Sequence, residues 1–216
     1  MTQVTSGGRL VNDVSGQRRD TVWYEVSRRT LDVIGSLLLL AFALPLLLLV
    51  AFLIKVDSTG PVLYRQSRVG LHGRIFTMLK FRSMRVDAEV AGPCWATDRD
   101  PRMTRIGAFI RATRLDEVPQ LLNVLRGDMS LVGPRPERPH FVQQLDAIIP
   151  RYNERTHVLP GITGWAQINY PYGASVEDAR AKLAFDLFYI NNRALLLDLR
   201  ILLRTIPVVL FRIGAR

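Results

Sequence analysis

Two adjacent acidic residues, Asp116 and Glu117, are the strongest candidates for chemistry in this chain of 216 residues. They stand in a basic stretch, because residues 58–136 contain 13 Lys or Arg against 7 Asp or Glu. An aspartate can attack phosphorus and form an aspartyl phosphate, and phosphoryl transfer depends mainly on positioning and on neutralisation of charge. A hard divalent cation such as Mg²⁺ would bind one of the two carboxylates together with substrate phosphates. The setting predicts phosphoryl transfer; an isolated Asp-Glu pair would be a simple helix cap.

Four basic residues are candidates for holding the phosphates. Strand-like alternation in residues 74–84 puts Lys80 and Arg82 on one face. Arg111 lies about one helical turn before the acidic pair, and Arg135 lies in the stiff loop Pro134-Arg135-Pro136. For most single arginines the alternative is a solvated face attracted to anionic lipid. A lipid-binding face, however, needs neither adjacent carboxylates nor proline-stiffened loops.

Several other chemistries have no support in the sequence. There is no Gly-rich nucleotide loop, no His-Glu-x-x-His and no Gly-x-Ser-x-Gly, and His72, His140 and His157 are isolated. The single cysteine, Cys94, excludes an intramolecular disulfide. The net charge of +10 could attract nucleic acid, but only 8% of the residues are aromatic and no reader motif is present. We therefore expect no nucleic-acid partner.

Turn signals indicate the elements that position these residues. Gly60-Pro61 and the Gly70–Gly73 turn bracket two strand-like runs, which predicts a β-hairpin. Apolar spacing then predicts two helices, the second from about Asp116 to Arg126, with Pro119 in its first turn. Two more helices are expected after residue 176, divided near residues 191–192. In the second, Asp198, Arg200, Arg204 and Arg212 share an arc of about 160°, which suits either a core helix or one lying in a membrane interface.

An uncharged segment of 22 residues, 33–54, is long enough to cross a hydrocarbon core of about 30 Å. Pro45 lies near its middle, where a proline removes a hydrogen bond and bends a helix. Basic residues flank both ends, namely Arg18, Arg19, Arg28 and Arg29 before it and Lys55, Arg65 and Arg68 after it. Basic flanks face the cytoplasm. The segment is therefore either a simple span or a helix that enters, breaks at Pro45 and returns.

Four ordered motifs resemble the bacterial sugar transferase family, the monotopic polyprenyl-phosphate phosphoglycosyl transferases that initiate exopolysaccharide assembly. They are Lys80-Phe81-Arg82-Ser83-Met84, Thr113-Arg114-Leu115-Asp116-Glu117-Val118-Pro119-Gln120, Leu131-Val132-Gly133-Pro134-Arg135-Pro136 and Pro160-Gly161-Ile162-Thr163-Gly164-Trp165. The match runs from about Arg28 to the C-terminus. Only 32 residues precede the anchor here, whereas some relatives carry a large N-terminal membrane region.

The resemblance implies transfer of a hexose 1-phosphate from a UDP-sugar to undecaprenyl phosphate, with Mg²⁺ and release of UMP. Asp116 would be the nucleophile and metal contact, and Glu117 its assisting partner. Arg111 and Arg135, with Pro134 and Pro136 around the latter, would hold the donor, and Lys80 and Arg82 are weaker assignments. The sequence of residues 161–172 resembles that of glucose or galactose transferases more than that of transferases for N-acetylated bacillosamine-type sugars.

These expectations define an α-dominated α+β fold with a Pro-broken, re-entrant membrane helix, a short β-hairpin and a compact helical catalytic domain with interfacial amphipathic helices. Its parts are a basic segment 1–32, the membrane helix 33–54 and a catalytic domain 55–216 on the cytoplasmic face of the bacterial inner membrane. The lipid bilayer is the expected partner, and the sequence allows but does not specify a homodimer. The competing hypothesis is a non-catalytic protein that docks polysaccharide-assembly partners through its basic face.

Overall fold

The computed structural model describes residues 7–90, 92, 100–171, 173 and 175–210, with the backbone alone for 7–21 and 210. Cys94, Tyr172, Arg212 and the side chains of Arg18 and Arg19 lie outside the described part. The first element, α1 (Gly7–Asp57), is a helix of 51 residues that contains Pro45. It includes one stretch, Val22–Asp57, long and apolar enough to cross a membrane. The helix is continuous across the boundary expected at residue 32.

The expected β-hairpin is confirmed. Strands β1 (Leu63–Val69) and β2 (Ile75–Phe81) pair antiparallel, and a short 3₁₀ turn, Leu71–Gly73, joins them. His72 and Gly73 of this turn have φ of +53° and +77°, the left-handed region that a tight connection uses. Because successive side chains alternate, Met78 is buried on the face that also carries Lys80. The hairpin thus holds Lys80 against the interior.

The acidic pair lies in a helical run of two parts. A helix α2 (Arg105–Ala112) is followed by a 3₁₀ helix, Leu115–Gln120, and then by α3 (Leu121–Arg126). The expected α-helix from residue 116 therefore begins as a 3₁₀ turn that contains Pro119, and α-helical geometry starts at Leu121. Its predicted end is confirmed, since Gly127 follows with φ of +88°.

Two short parallel strands, β3 (Ser130–Val132) and β4 (Gly161–Thr163), bring two of the motifs together. Gly133 and Gly161 allow the backbones to approach, because a Cβ atom on Gly161 would lie 2.1 Å from the Gly133 nitrogen. Helix α4 (Pro139–Ile148) and a 3₁₀ helix, Tyr152–His157, connect the strands. This contact fixes the Pro134–Pro136 loop beside β4.

Three helices complete the described chain: α5 (Trp165–Asn169), α6 (Val176–Asn191) and α7 (Leu195–Leu210). The division expected near residues 191–192 is confirmed. Asp198 does not share an exposed arc with Arg200 and Arg204, because it is 1% exposed and accepts hydrogen bonds from the hydroxyls of Tyr24 and Tyr189. A buried carboxylate needs such donors, so this position faces inward.

Helix α1 contacts the rest of the domain on both sides of Pro45. Before it, Arg28 Nη2 donates to the carbonyl of Val132 at 2.6 Å. After it, Val50 and Ile54 pack with Phe81 and Ile110 in one apolar cluster. Between these contacts, residues 41–46 are largely exposed, and Phe42 is 89% exposed. Two separated parts of the helix are thus attached to the same domain.

Candidate active site

A cavity of about 540 Å³, within the range of small-molecule sites, opens between the hairpin, the acidic 3₁₀ helix and α6. Eleven cationic side chains and five carboxylates line it, so its surface is suited to an anionic ligand. The sequence-predicted residues among its lining are Lys80, Arg82, Arg111, Asp116, Glu117 and Arg135. Pro134 and Pro136 are absent from that lining and border a smaller adjacent cleft.

Glu117 is held by two cations. Lys80 Nζ lies 2.9 Å from Glu117 Oε1, and Arg135 Nη2 donates a short hydrogen bond to the same oxygen. Burial opposes ionisation of Glu117, but Arg135 and Lys80 outweigh it and hold the pKa of that carboxyl well below its usual range. Burial in turn lowers the pKa of Lys80, against the opposing effect of Glu117. Glu117 is therefore an ionised carboxylate committed to its neighbours.

Asp116 has a different environment although it is the next residue. Its side chain is buried, with 6% exposure, and among the described residues its carboxylate has neither a hydrogen bond nor an ion pair. Burial raises the pKa of Asp116 to about 6, and the nearby Lys80 ammonium opposes this shift. A buried carboxylate without a protein partner faces the cavity, as a nucleophile or a metal ligand must.

Arg111 approaches the acidic pair from the end of α2. Thr104 caps the start of this helix by accepting from the Gly107 amide, and Gly107 lies against the backbone of the hairpin. A Cβ atom on Gly107 would lie only 1.8 Å from Ser83 O, so no other residue allows α2 to pack this closely. The side chain of Arg111 makes no hydrogen bond or ion pair within the part of the chain that the structure describes. It is available to a ligand in the cavity.

The loop that carries Arg135 has all three of its carbonyls bound. Pro134 O accepts from the Gly161 amide, Arg135 O from Arg155, and Pro136 O from Arg68. These hydrogen bonds fix the backbone of the loop. Pro134 and Pro136 stiffen it and border the smaller cleft, outside the main cavity. The side chain of Arg135 is thereby directed at Glu117.

Arg82 is placed differently from Lys80. Its guanidinium donates to the carbonyls of Ser58 and Thr59, directly after the end of α1. Strand β2 ends at Phe81, so the alternation that put Arg82 beside Lys80 does not continue to it. Although Arg82 borders the cavity, these hydrogen bonds attach the hairpin to the end of α1. Its role in substrate binding remains a prediction.

Sequence reasoning missed a second group of charged residues in the cavity. Arg138 forms a bidentate ion pair with Glu89, with N–O distances of 2.9 and 3.0 Å. Arg155 forms an ion pair with Asp186 at 2.8 Å. Lys182 and Arg68 also line the wall, and burial lowers the pKa of Arg68 to about 10. The partners within each pair are 31–49 residues apart in the chain, so no local pattern connects them.

The carboxylates of the cavity could hold Mg²⁺ if substrate phosphates and water complete its coordination. Within the described ranges no cluster of three or more His, Cys, Asp or Glu could enclose a metal. Mg²⁺, however, commonly binds one or two carboxylates and completes its shell with phosphate oxygens and water. The unpartnered carboxylate of Asp116 fits that requirement.

The described residues place a buried aspartate without a protein partner in a cationic cavity, next to a helix that could enter a membrane. Comparison with known proteins identifies the family that has these features. Residues 23–212 match the family model described as bacterial sugar transferase, and the chain belongs to this family. The predicted family is thus confirmed.

Three relatives show how far the similarity extends. The chain is 46% identical over 193 residues to a UDP-N-acetylgalactosamine-undecaprenyl-phosphate N-acetylgalactosaminephosphotransferase of Aeromonas hydrophila, covering 89% of this chain and 46% of the relative. It is 46% identical over 188 residues to a UDP-glucose:undecaprenyl-phosphate glucose-1-phosphate transferase of Caulobacter vibrioides, covering 86% and 70%. It is 42% identical over 196 residues to the exopolysaccharide production protein PSS of Rhizobium leguminosarum, covering 87% and 96%. The chain therefore spans less than half of the first relative and nearly all of the third.

Proposed function

We propose that this chain transfers a sugar 1-phosphate from a UDP-sugar to undecaprenyl phosphate and releases UMP. The observation that carries the proposal is the unequal environment of the acidic pair: Glu117 is bound by Lys80 and Arg135, whereas Asp116 is buried, unpartnered among the described residues and next to the cationic cavity. This asymmetry supports Asp116 as the nucleophile and Glu117 as the residue that holds the cations in place. Both substrates are those for which two relatives of this chain are named, a UDP-sugar and undecaprenyl phosphate.

The proposed reaction consists of two successive displacements at the β-phosphorus of the donor. A carboxylate oxygen of Asp116 attacks the β-phosphorus of the UDP-sugar, and the bridging P–O bond breaks with its electron pair on UMP. An oxygen of the lipid phosphate then attacks the same phosphorus, and the P–O bond to Asp116 breaks, which restores the carboxylate and leaves the lipid diphosphosugar. Neither step needs a proton at neutral pH, so the site must mainly neutralise charge, as phosphoryl transfer requires.

Charge neutralisation would come from this chain's cations and from a divalent ion. Arg111, which has no partner in the described structure, would bind a donor phosphate, and Arg135 would face the same group from its fixed loop. Mg²⁺ held by Asp116 and the donor phosphates would neutralise further charge on the transferred group. Lys80 would orient Glu117 and lower the negative potential at Asp116.

The contacts of α1 support the re-entrant topology. A helix that crossed the bilayer would carry its two ends to opposite faces, yet Arg28 before Pro45 and Asp57 after it both bind the same domain. The exposed stretch 41–46, with Pro45 at its centre, is the part that leaves the domain surface. Pro45 lacks the amide for one helical hydrogen bond, so a bend there costs little. We infer that residues 41–46 form the deepest point in one leaflet.

Helix α7 supports a second contact with the membrane interface. Leu196, Leu199, Leu203 and Ile206 follow helical spacing and are all exposed, by 40% to 79%. Arg200 and Arg204 lie over the ring of Trp165, at 6.0 and 5.9 Å from its centre. An exposed apolar face beside cations and an indole is typical of a helix in the interface. With basic residues on both flanks of the apolar segment, this favours the cytoplasmic face of the inner membrane.

The donor sugar is proposed as glucose or galactose, in a pathway of exopolysaccharide synthesis. Overall similarity does not select the sugar, because relatives named for N-acetylgalactosamine and for glucose are each 46% identical to this chain. A panel of UDP-sugars would identify it. A homodimer remains a prediction.

Release of UMP by membranes that contain the protein, supplied with UDP-glucose or UDP-galactose and undecaprenyl phosphate, tests the reaction. Asp116→Asn is expected to remove turnover and the protein-bound sugar phosphate that accumulates without acceptor. The control is Asp146→Asn on the exposed side of α4, which should retain activity. Release of UDP would indicate direct glycosyl transfer instead. Full UMP release by Asp116→Asn would contradict the assignment of Asp116 as the nucleophile. The docking hypothesis instead predicts no UMP release by the wild-type protein, and a biological function that Asp116→Asn leaves intact but reversal of several arginines abolishes.

A further inference from the structure

One side chain binds the outer edge of β2. Strand β1 occupies the other edge, and the described residues contribute no third strand to this sheet. On the outer edge, Asn123 Oδ1 accepts from the Leu79 amide at 2.9 Å, and Asn123 Nδ2 donates to Thr77 O at 2.8 Å. A neighbouring strand would offer the same donor and acceptor, two residues apart. The amide of Asn123 thus replaces a third strand at this point.

Asn123 is fully buried, and its own environment holds the amide in one orientation. Nδ2 has a second acceptor in Asp128 Oδ2 at 3.2 Å, so both of its hydrogens are used. The backbone carbonyl of Asn123 accepts from Asp128 N at 3.0 Å, where the chain turns after α3. Asn123 is therefore hydrogen-bonded both to the turn that ends its own helix and to the strand.

The residues that Asn123 connects lie next to the acidic pair and to the lysine that binds it. Lys80 follows Leu79 directly, and its Nζ binds Glu117 at 2.9 Å. Asp116 and Glu117 lie in the 3₁₀ helix that continues into α3, which carries Asn123. One amide therefore joins the backbone that carries the lysine to the backbone that carries both carboxylates.

We propose that Asn123 is a positioning residue, whose side-chain amide fixes β2 so that the Lys80 ammonium stays within reach of Glu117. The contribution to turnover rests on the proposed function, whereas the contribution to the position of Lys80 does not. Asn123 touches no substrate in this proposal and acts through Lys80.

The kinetic test compares Asn123→Ala with Val124→Ala, its fully buried neighbour on α3. Both variants should unfold at a lower temperature, but only Asn123→Ala should lower kcat, by about tenfold or more, with KM for the donor changed less than about twofold. In a Lys80→Ala background the further loss from Asn123→Ala should be less than about twofold, because coupled residues are not additive. Equal losses in both backgrounds, or a kcat for Asn123→Ala like that of Val124→Ala, would overturn the proposal.

A second measurement needs no turnover. The chain has three lysines, and acylation of the purified protein by an amine-reactive ester, followed by mass spectrometry, compares Lys80 with the exposed Lys55 as an internal reference. The ratio of Lys80 to Lys55 labelling should rise several-fold in Asn123→Ala and stay unchanged in Val124→Ala. An unchanged ratio in Asn123→Ala sinks the proposal, even if the Lys80→Ala background is inactive. If wild-type protein releases no UMP, the proposed function fails while this measurement still decides the role of Asn123.

Discussion

Lys80 Nζ lies 2.9 Å from Glu117 Oε1, in a pair whose two side chains are only 16% and 13% exposed. A buried charge pair of this kind is costly to break, because removing one partner leaves the other charge without compensation. Here the second partner, Arg135, shares the same carboxylate. Glu117 therefore binds two cations of the site, and the adjacent Asp116 lines the cavity without a hydrogen bond or ion pair among the described residues.

Glu117→Gln should lower kcat on the order of 100-fold, because a neutral amide cannot hold both Lys80 and Arg135 in their present positions. The measurement is UMP release at saturating donor. Glu154→Gln is the matched control, since it makes the same chemical change in an ion pair with Arg151 on the surface. It should leave kcat unchanged, and equal effects of the two substitutions would contradict the assigned role of Glu117.

Asp116→Asn should make the protein more stable at pH 8 than the wild type. Burial raises the folded-state pKa of Asp116 from its ordinary value near 4 to about 6, so the stability from the protonated carboxyl is full below pH 4 and is lost as the pH rises through about 6. An asparagine does not titrate. The difference in free energy of unfolding should reach on the order of 2–3 kcal/mol above pH 7 and vanish near pH 4.

Thermal unfolding of the two proteins in detergent, with a chelator present, checks this dependence. The chelator is needed because a bound divalent cation would favour the ionised carboxylate. A stability difference that does not change with pH would refute the assignment of a raised pKa to Asp116.

Gly107→Ala should impair both folding and activity. Alanine favours helix over glycine by about 1 kcal/mol, but its Cβ would lie 1.8 Å from Ser83 O, a backbone atom that cannot move freely. Overpacking of this kind costs about 1–3 kcal/mol, and relief of the clash would move α2 and with it Arg111. We expect a lower unfolding temperature and a KM for donor raised several-fold. Ala108→Ser, at an exposed position of the same helix, should change neither.

Tyr189→Phe should destabilise the junction between α6 and α7. Its hydroxyl donates to the buried Asp198 Oδ1 at 2.8 Å, and loss of one partner from a buried carboxylate costs about 1–3 kcal/mol. Tyr170→Phe removes a similar hydroxyl from Asp178, 3.0 Å away at a more accessible site, and serves as the control. Chemical denaturation of both variants would show whether Tyr189 has the larger effect. Equal midpoints would contradict a buried role for Asp198.

Both termini should lie in the cytoplasm. Thr5→Cys and Gly214→Cys, each in a Cys94→Ser background, should resist a membrane-impermeant thiol reagent in intact cells and react after lysis. Labelling of residue 5 alone in intact cells would indicate a simple span and contradict the proposed topology. Labelling after lysis provides the control for accessibility.

Features that depend on neighbouring residues were predictable from the sequence. The hairpin followed from Gly70–Gly73 and alternation, and the end of α3 followed from Gly127. The acidic pair and Arg135 were identified by motif, and the structure brings both to one cavity. Each of these signals lies within a few residues of the element that it specifies.

Features that depend on distant residues were not predictable. No local sequence pattern shows that Glu117, and not Asp116, binds both Lys80 and Arg135, because Lys80 is 37 residues away. The helical wheel of α7 grouped Asp198 with the arginines, but the hydroxyl of Tyr24, 174 residues away, helps to turn it inward. The start of α3 was misplaced by five residues because Pro119 favours a tighter turn before it.

The attachment of α1 to the domain on both sides of Pro45 has a consequence for how the two substrates are found. In the proposed re-entrant topology, a helix held at both ends would keep the cavity at a fixed height above the leaflet that it enters. The lipid acceptor would then be encountered by diffusion within a plane, and the nucleotide donor by diffusion from the bulk. Occupancy of the site by acceptor would then depend on the number of acceptor lipids per unit area of that leaflet. It would not depend on the volume of the cell.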